Sequence, residues 1–212
     1  MQISNNKLLV IFAVRGTLLE RIRNDRIPLL LTSVTPSFEH RMHHVWLRPY
    51  ALDCLMGLQS MGCHLGAWSS AAEKNTRPLL EAAFPGVKFH VVLSRDHTRH
   101  DEIRQRFNRE KGAKEVEYAG DPFATVKDLD IVWNSEGLRS SERYHPGRTV
   151  LVEDTPSKAR RNADNLLWVK PYGMDEGCTM LPEDKALQDL VRYVEKELLS
   201  SKDVRDVLPK AL

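Results

Sequence analysis

Long hydrophobic runs are missing from this sequence. No stretch approaches the ~18–20 consecutive apolar residues of a membrane-spanning helix, so no membrane span is expected. Cysteine is scarce: only Cys54, Cys63 and Cys178 are present. Their number is odd, no two stand at a metal-ligand spacing, and two lie inside apolar runs. A disulfide framework and a cysteine zinc site are therefore not expected, and reduced, mostly buried thiols of an intracellular protein are. Neither sign of charge dominates, with 31 Lys and Arg against 29 Asp and Glu for a net +2. That balance permits an anionic partner without demanding one. Aromatic residues are few at 7%, and they do not interleave with the basic clusters as a single-strand stacking platform would require. No secretory pattern opens the chain, and little room for a long cleavable targeting peptide is expected. Repeats and low-complexity tracts are also lacking.

What is present suits one sizeable domain. With 212 residues and 42% hydrophobic content, the chain should bury roughly 70% of its unfolded surface and needs no metal or disulfide for stability. Short apolar runs read as buried parallel strands at Lys7–Phe12, Cys63–Trp68, Val87–Leu93, Thr149–Val152 and Leu166–Val169. Between them lie expected helices at Pro49–Met61, Ala71–Phe84, Arg99–Lys111 and Val126–Trp133. Glu20–Trp46 reads as a long irregular connection with one short strand near Ile27–Thr32, and Gly112–Pro122 as a loop. Asp184–Leu199 is amphipathic, with Leu187, Leu190, Val191, Val194 and Leu198 on one face. Alternation of strand and helix predicts an α/β fold with a doubly wound, mainly parallel sheet and a C-terminal amphipathic helix. The expected division is a domain over residues 1–182 and a helix with its tail over 183–212, packed on the domain or on a partner. Ligands in such folds sit beyond the carboxyl ends of the strands, which singles out the loops after Phe12, Trp68 and Val152.

Four short segments at these places carry a resemblance. Ala13-Val14-Arg15-Gly16-Thr17-Leu18 follows the first strand, Trp68-Ser69-Ser70-Ala71 the second, and Val152-Glu153-Asp154-Thr155-Pro156 the fourth; Lys127-Asp128-Leu129 lies between. Arg48-Pro49 precedes the second segment, and Ser157-Lys158 and Asn162 follow the last. In that order they resemble the motifs of the haloacid dehalogenase superfamily. The nearer likeness is to the branch of NIF-like phosphatases that act on the RNA polymerase carboxy-terminal domain, which includes the mitochondrial inner-membrane import receptor domain. The likeness runs from about Lys7 to Tyr172.

The resemblance implies a phosphatase fold whose first motif carries two aspartates, a nucleophile and an acid/base. Here Ala13 and Arg15 stand in their places. Alanine offers no nucleophile, and arginine stays protonated at any workable pH. Mg²⁺ wants several oxygen ligands in octahedral geometry. Only Asp154 and Glu153 remain as carboxylates, so no cofactor is expected beyond a weak residual Mg²⁺ contact at Asp154. Arg15 is expected to replace the metal by pairing with Asp154 or Glu153. The degenerate site comprises Ala13, Arg15, Thr17, Ser69, Lys127, Glu153 and Asp154, and the anion-binding candidates are Arg15, Gly16, Ser69 and Lys127.

Outside the motifs, His40, His43 and His44 read as surface-loop histidines, and His97 and His100 as structural. Two basic clusters are candidate RNA contacts: Arg104, Arg106 and Arg109 within a charged segment, and Lys158, Arg160 and Arg161 after a strand. Lost catalysis together with basic patches points to a non-catalytic scaffold in a larger protein complex, with ribosomal RNA as a further partner. The favoured setting is a ribonucleoprotein such as a mitochondrial ribosome or its assembly intermediate, in the mitochondrial matrix; cytoplasm and nucleus stay open. Two alternatives stay open as well: an active Mg²⁺-dependent protein phosphatase with rewired carboxylates, and a protein-import or adaptor module.

Overall fold

The structure is a computed structural model that describes residues 7–31, 34–100, 125–134, 144–173, 180 and 182–209. Its centre is the strand Leu9–Ala13 (β1), every residue of which is buried. Only a strand flanked on both edges and covered on both faces can be apolar throughout. β1 is flanked by His64–Trp68 (β5) and Thr149–Glu153 (β9), both parallel to it. Leu166–Trp168 (β10) and Phe89–Leu93 (β6) extend the sheet outward, giving the order β10-β9-β1-β5-β6. The parallel sheet expected from the alternation is therefore present, with five strands. The register sets Ala13 beside Trp68, Phe12 beside Val152, and Trp168 beside Glu153. Gly66 lets β1 and β5 approach closely: a Cβ there would meet Ile11 Cγ1 at 2.9 Å.

Helices cover both faces. On one side the helices Ala51–Ser60 (α1), Glu73–Ala83 (α2) and Ala186–Tyr193 (α4) bury Leu55, Leu58, Leu80, Leu187 and Leu190 against Val10, Phe12 and Leu65. On the other, the short helix Asp130–Asn134 (α3) and the segment after β9 pack Leu129, Val132 and Ala159 against Leu9, Ile11, Trp68 and Leu151. α4 runs on into a π-helical turn, Val194–Leu198, and Val204 and Leu208 beyond it are also buried. The apolar face of this last helix completes the main core, so the C-terminal segment sits on the domain.

Several expected elements are corrected. Glu20–Trp46 is not a loose connection. Leu19–Arg23 (β2), Phe38–His40 (β3) and His43–Leu47 (β4) form a small antiparallel sheet in the order β2-β4-β3. His40, His43 and His44 are thus strand residues, with His44 Nε2 2.9 Å from Glu39 Oε1. Where a strand was expected near Ile27–Thr32, Leu29–Leu31 is a 3-10 turn, since Pro28 opens it by accepting from the Leu31 N–H. Arg99 and His100 (β7) pair with Thr125–Val126 (β8) instead of starting a helix. Residues 101–124, with the expected helix to Lys111 and the loop to Pro122, lie outside the described residues. The helix expected from Val126 starts only at Asp130, whose N–H is capped by Asp128 Oδ1 at 3.1 Å.

One buried side chain joins these parts. Arg48 follows β4 and is almost wholly enclosed. It donates through Nη1 to the Thr17 carbonyl (3.3 Å), through Nη2 to the Lys170 carbonyl (2.8 Å) and through Nε to Asp184 Oδ2 (3.0 Å). Its guanidinium also lies 5.7 Å from the ring centre of Tyr172, close enough for a cation–π contact. Tyr172 in turn donates its N–H to the Gly16 carbonyl (2.8 Å) and its hydroxyl to that of Leu47 (3.1 Å). Removing Arg48 would leave the buried Thr17 carbonyl and the part-buried carboxylate of Asp184 without their donor. Arg48→Ala is expected to lower stability by about 3–5 kcal/mol, read as a shift in urea midpoint at unchanged slope.

Candidate functional site

The carboxyl ends of β1, β5 and β9 open into a cleft of about 280 Å³. The first wall is the turn after β1. The carbonyl of Val14 accepts from both Leu18 and Leu19 N–H, and the Gly16 N–H donates to the Leu19 carbonyl at 2.9 Å. Gly16 holds φ +84°, and a Cβ there would lie 2.4 Å from Asp154 Oδ2. Glycine is thus required twice, for its backbone conformation and for the nearness of a carboxylate. Thr17 is fully buried and donates its hydroxyl to Asp154 Oδ1 at 3.1 Å; Thr155 does the same to Oδ2, also at 3.1 Å.

Arg15 does not pair with Asp154 or Glu153 as expected. Its Nε lies 2.6 Å from Glu20 Oε1 and its Nη2 3.3 Å from Oε2. Glu20 is the nearer carboxylate because β2 turns straight back beside the motif, setting it 1% exposed behind the cleft wall. Glu153 is held instead by Lys127, Nζ to Oε2 2.5 Å, with side chains 2% and 0% exposed. Burial pushes Lys127 down and Glu153 up from their ordinary values, and each one's charge opposes the other's shift. The Thr155 N–H completes Glu153's shell at 3.1 Å to Oε1.

Of the seven expected site residues, Arg15, Ser69, Lys127 and Asp154 line the cleft; Thr17 and Glu153 are buried behind it, bonded to Asp154 and Lys127, and Ala13 is buried at the end of β1 beside Trp68, and most of their bonding capacity is already used. Of the anion-binding candidates, Gly16 N–H is committed to Leu19 and Lys127 to Glu153, and Arg15 is bound to Glu20. Ser69 Oγ accepts from the Ala71 N–H at 3.1 Å and keeps its own proton to donate. The donor set does not fit Mg²⁺. Among the described residues Asp154 is the single carboxylate facing the cleft without a cation, and both its oxygens already accept hydroxyls. Among the described residues no three His, Cys, Asp or Glu side chains are grouped to hold a metal.

The basic cluster after β9 is dispersed. Lys158 lines the cleft, Arg160 donates to the Ser157 carbonyl (3.0 Å), and Arg161 stands 3.0 Å from Asp128. Asp128 is buried and also receives Arg99 at 2.9 Å; both guanidinium nitrogens meet Oδ2 off the hydrogen-bond axis, so these are charge contacts. Asn162 Oδ1 accepts the Leu129 N–H at 2.7 Å and fixes the Lys127 segment to the motif after β9. Arg104, Arg106 and Arg109 lie outside the described residues, as does Cys178. Reading the sequence missed Glu20, Arg21 and Arg95 as cleft-lining residues. Glu20 and Arg21 belong to a polar strand whose two faces each mix apolar and charged residues, Leu19, Arg21 and Arg23 on one and Glu20 and Ile22 on the other, so no alternation marks it in the sequence.

A family model described as NLI interacting factor-like phosphatase matches residues 8–205. Among solved structures, the chain is similar to a fission yeast RNA polymerase II CTD phosphatase, Fcp1, bound to beryllium fluoride. That likeness has 13% identity and a TM-score of 0.50, over 95% of this chain and 54% of that one. It is similar also to a HAD-superfamily hydrolase from Ehrlichia chaffeensis, with 14% identity and a TM-score of 0.51 over 91% of this chain and 98% of that one. The chain therefore spans about half the length of the Fcp1 structure. No curated protein sequence matches it.

Breaking the buried Lys127–Glu153 pair from one side leaves an uncompensated charge. Lys127→Met is expected to cost about 3–5 kcal/mol in denaturant unfolding. The double variant Lys127→Met with Glu153→Leu should recover most of that loss, a coupling measurable by a double-mutant cycle.

Proposed function

We propose that this chain, which belongs to the NLI interacting factor-like phosphatase family, is a catalytically inactive member that serves as a scaffold subunit of a larger assembly. The observation that carries the reading is the end of β1. Ala13 presents a methyl group where the family motif has its nucleophile, and Arg15, in the acid/base position, is clamped on Glu20. The remaining acids are committed as well. Glu153 is neutralised by Lys127, and Asp154 is fixed by two threonines. Phosphoryl transfer to the protein needs a carboxylate nucleophile and a separate proton carrier, and among the described residues the carboxylates at the cleft are each engaged by other side chains.

The favoured setting is a ribonucleoprotein, a mitochondrial ribosome or its assembly intermediate, in the mitochondrial matrix. Supporting it are two arginines near the motif after β9, Arg161 exposed and Arg160 half-buried. Arg161, on Asp128, and Arg160 present cations at the surface that suit a phosphate backbone. The competing reading is an active enzyme with rewired carboxylates. Membership of a phosphatase family and the position of Asp154 in the cleft favour it.

Purified protein is expected to release no product from p-nitrophenyl phosphate, in Mg²⁺ or in EDTA. Turnover that disappears on Asp154→Asn would establish the active reading instead. Affinity purification of the tagged chain should bring down ribosomal proteins with RNA. Binding of that RNA should weaken steeply with salt and fall when Arg160 and Arg161 are neutralised.

A further inference from the structure

Charge divides unevenly between the two faces of the small antiparallel sheet. On one face the inner end is apolar, and Leu19, Val45 and Phe38 join the main core. The outer end of that face is basic. The register sets Arg23 beside His43 and His43 beside His40, with Arg21 two residues before Arg23 on the same side. Arg41, in the two-residue turn between β3 and β4, continues this row. Arg23 and Arg41 are exposed, and Arg21, His40 and His43 half-buried. Among the described residues the one carboxylate in an ion pair with any of them is Asp25, on Arg23 at 2.6 Å. The sheet's other acids belong to the opposite face, Glu20 bound to Arg15 and Glu39 to His44.

These groups press on one another. Burial, then Arg41 and Arg21, hold His40 below its ordinary value. Burial, then Arg21, Arg23 and His40, do the same to His43, where Asp25 alone opposes them. From α2 the face is met by Asn75 and the Lys74 carbonyl, which accept from Arg41 at 2.7 and 3.3 Å. Those bonds fix the turn's cation in place before any partner arrives. Bonding capacity is also left over, since His40 Nε2 is enclosed without a hydrogen-bond partner among the described residues. Such a face is unfavourable alone and favourable beside an anion.

We propose that the basic face of the small sheet, with Arg23, His43, His40 and Arg41 as its row of contacts, binds single-stranded RNA. Side chains two apart on one strand stand about 6.8 Å from each other, so Arg21 and Arg23 form a row that a repeating anion can follow. Across the strands the two imidazole rings stand between the guanidinium groups of Arg23 and Arg41. Rings interleaved with cations suit unpaired nucleotides, whose bases stack on the rings while their phosphates meet the cations. An acidic peptide would use the cations and leave the rings idle. The inference rests on the reading of the chain as a ribonucleoprotein subunit and adds a surface to the arginines after β9.

Fluorescence anisotropy of the whole chain with a labelled oligouridylate, and with a polyglutamate peptide of matched length, tests it. The oligouridylate should bind, and bind more tightly as pH falls from 8 to 6. The sign follows from linkage: bound phosphates raise the imidazoles that the arginines had lowered, so binding takes up protons. Arg23→Gln and Arg41→Gln should each weaken binding about fivefold and reduce the salt slope by about one, with Arg23→Lys retaining most of the affinity. The double variant His40→Gln with His43→Gln should flatten the pH dependence. The Arg23 variants should melt with the parent, because that side chain is exposed. Polyglutamate binding as tight as that of the oligouridylate would assign the face to an acidic protein and overturn the proposal. So would RNA binding that is absent or that ignores Arg23 and Arg41. Ribosomal proteins recovered with a chain that fails in this way would leave the scaffold reading standing. Oligouridylate binding through these residues, in a chain that recovers no ribonucleoprotein, would remove that reading and keep the surface.

Discussion

The buried guanidinium of Arg48 is the constraint on which the remaining architecture depends. It reaches the turn after β1, the chain after β10 and the acid that opens α4, three places far apart in sequence. Its bond to the Thr17 carbonyl satisfies an acceptor that would otherwise be buried alone. Tyr172, under the same guanidinium, binds Gly16 and so fixes the first motif from behind. The cleft wall, the small antiparallel sheet and the C-terminal helix therefore hold position together. This explains why the cleft has a defined shape.

Within that shape, charge has been reorganised in pairs. Lys127 and Glu153 neutralise each other where both are enclosed, and Arg15 is turned to Glu20. A buried pair adds little net stability over apolar residues of the same size, but removing one partner is costly. Such pairs persist once formed, because each residue is held by the other. Asp154 is the exception: hydroxyls and a nearby glycine hold it, with no cation in ion-pair distance among the described residues.

Much of this was legible in the sequence. The run LVIFA is apolar throughout and TVLVE is apolar at its three central positions, a pattern that suits central parallel strands, so the sheet and the places of the three motifs that follow its strands come from pattern alone. The heptad-like face of the last helix announced its packing in the same way. The small sheet of β2, β3 and β4 was hidden for a physical reason. Its strands are three to five residues long, rich in Arg, Glu and His, and interrupted by Pro28 and Pro36, so their alternation is weak. The partner of Arg15 was hidden with it. Once β2 is known to double back, Glu20 is closer than either acid after β9, and no motif comparison carries that information. The helix expected at Val126 failed because a side-chain cap at Asp128 moved its start, a local choice that periodicity does not encode.

The order β10-β9-β1-β5-β6 has a consequence for how the chain is made. β1 leaves the ribosome first and pairs early with β5, yet its other edge belongs to β9, some 140 residues later. Until Thr149–Glu153 has emerged, the most apolar strand of the protein presents an unpaired edge to its surroundings. Arg48 waits longer still, since Asp184 follows β9 by about 30 residues. A nascent chain of this topology lacks its central closure until β9 emerges, which places the risk of misassembly in biogenesis and not in the finished fold.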